Sequence, residues 1–217
     1  MRVQLTLDYP HELGYYPEVP LDFPEQRFED SFALTDEKSC GKCEFKETCD
    51  HKVLCVETNT PLNVLWFEKF VSQFDDTPAA FGKRCDYLIY DEMEFKHRIA
   101  FCELSCIDNK YVEPNEGTHP EVKRALAYRQ MELSLEALLS NNLLTYEIMT
   151  YPSKEAVFGW RERSQEENNN DDASSSMTVF MQTPDSDETI LISQTRVMGH
   201  HFSFVEVKYP GSYYWNN

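Results

Sequence analysis

The stretch from Lys83 to Leu139 reads KRCDYLIYDEMEFKHRIAFCELSCIDNKYVEPNEGTHPEVKRALAYRQMELSLEALL. Two runs within it, 85–90 and 98–106, are rich in β-branched, aromatic and aliphatic residues, which favour strands. A short polar segment separates the two runs, so they predict a β-hairpin. Apolar residues at three- and four-residue steps over 120–139 then predict a long amphipathic helix.

Three polar residues of this strand–strand–helix unit, Asp86, Glu103 and Gln130, are candidates for a functional site. Asp86 lies near the start of the first strand and Glu103 lies late in the second, so the two carboxylates are expected to face one point. Paired carboxylates form a hard-oxygen site suited to Mg²⁺ or Mn²⁺, and such an ion activates water for attack on a phosphate. Gln130 belongs to the helix stripe that is expected to pack on the sheet: Lys123, Leu126, Gln130, Leu133 and Ala137. The alternative for Gln130 is a buried amide bonded to backbone.

This arrangement resembles the PD-(D/E)xK nuclease superfamily, whose restriction-endonuclease-like core is a helix, a hairpin carrying Asp and Glu-x-Lys, and a helix that often bears Gln. Asp86 matches the first acid, Glu103 the second and Gln130 the helix residue. Glu68 matches the acid that some members carry on their first helix. The resemblance implies an α/β fold, with α+β as the alternative, in which a mixed sheet is flanked by helices.

The chain departs from the family motif at Ser105, which stands where the family has its lysine. In the family that lysine positions or deprotonates the attacking water, and an uncharged serine cannot replace it. Lys123 lies on the Gln130 stripe and is the candidate for a migrated lysine. The departure favours a catalytically degenerate site over an active one.

A second, shorter match lies near the C-terminus, where Pro184-Asp185 precedes Glu206-Val207-Lys208. No helix is predicted after it, and Asp185 lies in a polar turn. We therefore expect a plain pair of antiparallel strands, Thr189–Val197 and Phe202–Tyr209, with Glu206 and Lys208 on one face.

Residues 39–55 read SCGKCEFKETCDHKVLC and form a second candidate site. Thiolate and imidazole ligands at this spacing suit tetrahedral zinc, which would hold together a segment that has no core of its own. The firmer ligands are Cys40, Cys43 and Cys49, and the fourth is His51 or Cys55. An iron–sulfur cluster and reduced structural thiols are the alternatives.

The net charge of the chain limits the kinds of partner that it can bind on its own. The 217 residues carry a net charge of −18, which argues against a free-standing DNA-binding protein. The acidic excess lies outside the central unit, with nine acids against two bases in residues 1–37. The central unit therefore remains able to meet a phosphate backbone if a basic protein partner supplies the affinity.

No apolar run is long enough for a membrane span, and the N-terminus lacks a secretory hydrophobic region, so we expect a cytoplasmic protein with no membrane contact. The seven cysteines then favour reduced thiols or metal ligands over disulfides.

The predicted organisation has three parts. Residues 1–37 form an acidic arm rich in proline and aromatic residues, which either wraps the core or docks a partner. Residues 38–58 form the expected Cys-rich zinc knuckle, and 59–217 form the nuclease-like core with a disordered acidic loop at 162–176. Within these parts we expect a first helix at 60–76 and strand-like segments at 2–8, 143–151 and around 158–160.

The expected function is a catalytically degenerate nuclease-fold subunit in an assembly that acts on DNA. The resemblance implies a setting in prokaryotic anti-phage defence and a partner that is a larger ATPase or nucleic-acid-binding subunit. The alternatives are an active Mg²⁺-dependent DNA endonuclease and an acidic adaptor or DNA-mimic inhibitor.

Overall fold

The computed structural model describes residues 1–12, 15–16, 18–36, 52–74, 84–91, 97–107, 120–139, 142–162, 197 and 199–215, with only the backbone described at 12, 107 and 120–126. The expected acidic loop beyond Glu162, nearly all of the predicted strand Thr189–Val197, and Cys40, Cys43, Cys49 and His51 lie outside these residues.

The described residues form a mixed α/β structure. The strands are β1 (Glu25–Phe28), β2 (Phe32–Thr35), β3 (Lys52–Glu57), β4 (Leu62–Trp66), β5 (Tyr87–Tyr90), β6 (Arg98–Ile107), β7 (Ser153–Glu162), β8 (Ser203–Lys208) and β9 (Ser212–Tyr214). A π-helix (Gln4–Asp8) runs into α1 (Tyr9–Glu12), and the other helices are α2 (Phe67–Val71), α3 (Pro120–Leu139) and α4 (Asn142–Met149).

A mixed sheet organises the described part of the chain, with six strands in the order β1-β4-β5-β6-β7-β8. The β1–β4, β4–β5 and β5–β6 pairs are antiparallel. The predicted hairpin is therefore confirmed as β5 and β6. The β6–β7 and β7–β8 pairs are parallel. A parallel pair requires a crossover connection, and α3 and α4 supply it between β6 and β7.

The sheet carries apolar cores on both faces. On one face, Leu88, Phe101 and Phe158 pack with the buried residues of α3 and α4. On the other face the sheet packs against a smaller sheet of the order β2-β3-β9, through residues such as Leu54 and Val157. Because successive side chains of a strand point to opposite faces, this layering decides which β6 residues meet α3.

The aromatic residues of the N-terminal arm pack on the molecule itself. Phe23 contacts Phe70 edge-on with ring centroids 5.2 Å apart, and Tyr9 contacts Phe74 at 5.5 Å. For these rings, the intramolecular wrap that the sequence allowed is what the structure shows. The same arm also supplies β1 to the larger sheet and β2 to the smaller one.

The first helix predicted at 60–76 was wrong over its first half. Residues 62–66 form β4, and only 67–71 are helical. All five residues of β4 are buried, because the strand lies between both cores. Four of its five side chains are apolar, with Asn63 the exception, and so short an apolar run does not distinguish a strand from a helix by its periodicity.

Two predicted strands are helices. The strand predicted at 2–8 was wrong. Of Val3, Leu5 and Leu7 only Leu5 is buried, in line with Met1 and Tyr9 four residues away on either side. The segment 143–151 was also predicted wrongly. It is mostly α4, which buries Leu144 and Ile148, again four residues apart. In both segments the burial follows a helical period rather than a strand period.

The long helix predicted at 120–139 is confirmed as α3, but its buried stripe was assigned wrongly. Gln130, Leu133 and Ala137 are only half-buried. The described side chains that face the core include Ala127, Tyr128, Met131, Ser134, Leu135 and Leu138. The error arose because polar Ser134 occupies a core-facing position.

Candidate functional site

Asp86 and Glu103 occupy neighbouring positions on adjacent strands. The β5–β6 register pairs Tyr87 with Cys102, so one further step along both strands sets Asp86 opposite Glu103. Both side chains are buried, with 6% of each residue exposed. The structure therefore brings together the two acids that the sequence singled out.

The Asp86 side chain reaches across to β6 and continues the hydrogen bonding of the sheet. Its Oδ2 accepts a hydrogen bond from the backbone N–H of Leu104 at 2.7 Å. Its backbone carbonyl accepts bonds from the N–H groups of Phe67 (2.8 Å) and Glu68 (3.3 Å) at the start of α2. Just before β5 begins, Asp86 therefore links the start of α2, through its carbonyl, to β6, through its carboxylate.

Glu103 lies on the α3 side of β6. It has the same parity as Ile99 and Phe101, which pack in the core that contains α3. In the parallel β6–β7 register its neighbour is Phe158. Its carboxylate is consequently placed between strand and helix in a largely apolar layer, where a charge is costly unless it has polar partners.

The negative charges of Asp86 and Glu103 affect the pKa values of two buried thiols nearby, those of Cys85 and Cys102. Burial raises the pKa of Cys85 well above its ordinary value, and the carboxylates of Glu103 and Asp86 raise it further. Burial likewise raises the pKa of Cys102, with Asp86 and Glu103 again among the negative neighbours. Both shifts favour the protonated thiol over the thiolate.

Helix α3 docks on the chain just before Asp86. Ser134 Oγ accepts a hydrogen bond from the N–H of Cys85 at 2.8 Å and donates one to the carbonyl of Gln130, also at 2.8 Å. Gln130 Nε2 lies 3.5 Å from the carbonyl of Arg84, at the limit of a hydrogen bond. Gln130 therefore lies next to the backbone that precedes Asp86, and its described contact is to that backbone, as in the alternative prediction.

Sequence reasoning missed Ser134, which holds α3 to the strand. The signal was a serine four residues after Gln130, a spacing at which a hydroxyl commonly bonds back to the carbonyl of its own helix.

Of the remaining predicted residues of this site, the structure describes the side chains of Glu68 and Ser105 but only the backbone of Lys123. Glu68 is half-buried at the start of α2, beside Asp86. Lys123 lies in α3, two turns before Gln130, and its side chain is outside the described residues. Ser105 is half-buried on β6, with the same parity as Glu103 and opposite Trp160 of β7.

A further acid beside β6 was not predicted. Asp36, which follows β2, is buried, and its Oδ2 accepts a hydrogen bond from the N–H of Cys106 at 3.2 Å. The Tyr87 hydroxyl donates to the carbonyl of Thr35 at 3.1 Å, so the end of β2 is anchored next to the start of β5. Asp36 and Asp86 therefore satisfy alternate N–H groups along the same part of β6.

The Cys-rich segment lies in the chain between β2 and β3. Thr35 of β2 pairs with Lys52 of β3, so the two ends of the segment between them lie side by side. Of its predicted ligands, only Cys55 is described. It is half-buried in β3, and burial raises the pKa of its thiol. The zinc site stays a prediction, as does the choice between His51 and Cys55.

The second motif, at Glu206 and Lys208, is tied to β7. Trp160 Nε1 donates to Glu206 Oε1 at 2.9 Å, while Lys208 bonds Glu162 and lies over the Trp160 ring, 4.8 Å from its centroid. Both residues lie on one face of β8, as predicted. Neither has a described contact with Asp86 or Glu103.

A cleft of about 480 Å³ opens on the other side of the large sheet, between β8 and β9. It is lined in part by Arg98, Glu155 and Tyr213. Arg98 donates to the Tyr214 carbonyl at 2.8 Å, and the Tyr213 hydroxyl donates to Glu155. Burial, with Glu155 beside it, raises the pKa of Tyr213. These groups are bonded within the fold. The cleft is also lined by Glu206 and Lys208 of the second motif, but not by Asp86 or Glu103.

No group of three or more His, Cys, Asp or Glu side chains in the described ranges is placed to hold a metal ion. Asp86 and Glu103 are a pair, and further ligands would have to come from elsewhere. Among the helices that the structure describes, none has both the length and the apolar character that crossing a membrane requires.

Comparison with known proteins adds no relative: no protein-family model, curated protein or solved structure matches this chain.

Proposed function

We propose that this chain is a nuclease-fold subunit, catalytically degenerate, of a multi-protein assembly that acts on DNA. The fold we propose within the mixed α/β class is restriction-endonuclease-like, with β5, β6 and α3 as the hairpin and helix of that core. The setting we propose, a prokaryotic anti-phage defence system in the cytoplasm, rests on the resemblance of the sequence alone.

The observation that carries the proposal is the cross-strand position of Asp86 and Glu103 beside a helix that bears Gln130. An acid at the start of one hairpin strand, an acid late in the next, and a glutamine on the following helix are the elements of the PD-(D/E)xK resemblance. Their order in the chain is matched by neighbouring positions in the fold. Glu68, beside Asp86, adds the acid of the first helix.

Three features favour a site that does not cut. Ser105 stands two residues after Glu103 and supplies no ammonium group. Both carboxylates are buried, whereas hydrolysis of DNA requires them to meet a solvated phosphate and its metal ion. The Oδ2 atom of Asp86 already accepts the Leu104 N–H, so part of the carboxylate is used to hold the sheet together.

The net charge of −18 supports the proposal that the chain acts on DNA as part of an assembly with other proteins. Binding to DNA depends on cations that displace the counterions of the phosphates. A strongly acidic chain gains little free energy from the release of counterions. The proposed contact with DNA is therefore made through a basic partner, which we take to be a larger ATPase or nucleic-acid-binding subunit. A zinc ion in the segment 38–58 would be structural, and a Mg²⁺ ion belongs to the proposal only if the site proves active.

The test is a nicking assay combined with purification of the native assembly. Supercoiled plasmid is incubated with the purified chain and Mg²⁺ or Mn²⁺, and we expect no nicking. The tagged chain, its Asp86→Asn variant and its Glu103→Gln variant are each isolated from the native host. All three are expected to bring down the same DNA-binding partner.

Each alternative has its own outcome. Metal-dependent nicking that both variants abolish would make the chain an endonuclease and overturn the degenerate assignment. A partner whose DNA-binding site is blocked by this chain, so that DNA and the chain compete, would identify an acidic inhibitor instead.

A further inference from the structure

We draw no further inference here: the strongest candidate, the cleft between β8 and β9 that is lined in part by Arg98, Glu155 and Tyr213, carries none, because these side chains are bonded to one another and to backbone within the fold and nothing in the structure shows what would occupy it.

Discussion

Asp86 accepts the backbone N–H of Leu104 through its carboxylate, at 2.7 Å, and so acts as part of the sheet at the place where β5 has not yet begun. Seventy residues from Cys106 in the chain, Asp36 does the same for the next outward-pointing N–H of β6. Two aspartates thus complete the hydrogen bonding of β6. A carboxylate that a motif search assigns to metal therefore has a demonstrable structural task in this protein.

The first prediction separates that structural task from a metal-binding one. Asp86→Ala leaves the buried Leu104 N–H without its acceptor and should lower the free energy of unfolding by about 1–3 kcal/mol. Asp86→Asn retains an acceptor oxygen and should cost clearly less. Urea unfolding measures both. Asp30→Ala, at an exposed position, is the control and should stay within about 0.5 kcal/mol of the unmodified protein. If Asn proves as damaging as Ala, the charge and not the hydrogen bond is what Asp86 supplies.

The second prediction concerns the contact between the two sheets. A Cβ atom at Gly159 of β7 would lie 2.9 Å from Leu104 Cδ2 and 3.1 Å from Leu54 Cβ. Gly159→Ala therefore displaces the end of the Leu104 side chain and pushes β3 away from β7, and it should destabilise the protein by about 1–3 kcal/mol. Gly199→Ala is the matched control, because no atom lies within 4 Å of its added Cβ. Thermal unfolding compares the two, and equal midpoints would show that the sheets are not packed as described.

The third prediction is a loss of stability at alkaline pH. The pKa values of Cys85 and Cys102 are raised above their ordinary value of 9.0, chiefly by burial. Above that pH the unfolded chain has lost thiol protons that the folded chain still binds. Stability is therefore fully present below the ordinary value and falls as pH rises beyond it, by up to about 1.4 kcal/mol per thiol for each pH unit.

Urea unfolding at about pH 8 and about pH 10.5 measures this loss. The double variant Cys85→Ala, Cys102→Ala is less stable at the lower pH but should lose less on going to the higher one. A double variant that loses as much as the unmodified protein would assign the alkaline loss to other groups, of which Tyr213, with its raised pKa, is the first to consider.

The fourth prediction is one structural zinc ion in each chain, held by Cys40, Cys43, Cys49 and either His51 or Cys55. Elemental analysis of the purified protein should find zinc, and a chelator should lower the unfolding temperature. Separate His51→Ala and Cys55→Ala variants identify the fourth ligand, because only one of them should lose metal. Iron with acid-labile sulfide would point to a cluster instead, and the absence of any metal would leave reduced thiols.

The elements that the sequence predicted well are those with one clear period. The hairpin strands and α3 were found because their patterns are long or are bounded by polar turns. In contrast, β4 was taken for a helix because all of its side chains are buried, which erases the period of two. The helices at 4–12 and 142–149 were missed because exposed Leu7, Leu143 and Tyr146 made their apolar content look like that of strands.

At the candidate site, the sequence pointed to Asp86 and Glu103, which do lie on adjacent strands. It did not find Asp36, whose partner is 70 residues away, since no local pattern reports a contact at that distance. It also placed Gln130 in the centre of the helix stripe. Ser134, in a core-facing position, holds the helix to Cys85 and leaves Gln130 at the margin.

The measurement that tests the central claim most directly is the nicking of supercoiled plasmid by the purified chain with Mg²⁺ or Mn²⁺, beside Asp86→Asn and Glu103→Gln. A degenerate nuclease-fold subunit leaves the plasmid supercoiled in all three samples, while all three proteins retain the native partner. Nicking by the unmodified chain that disappears in both folded variants would show that the Asp86–Glu103 pair cuts DNA and would contradict the account.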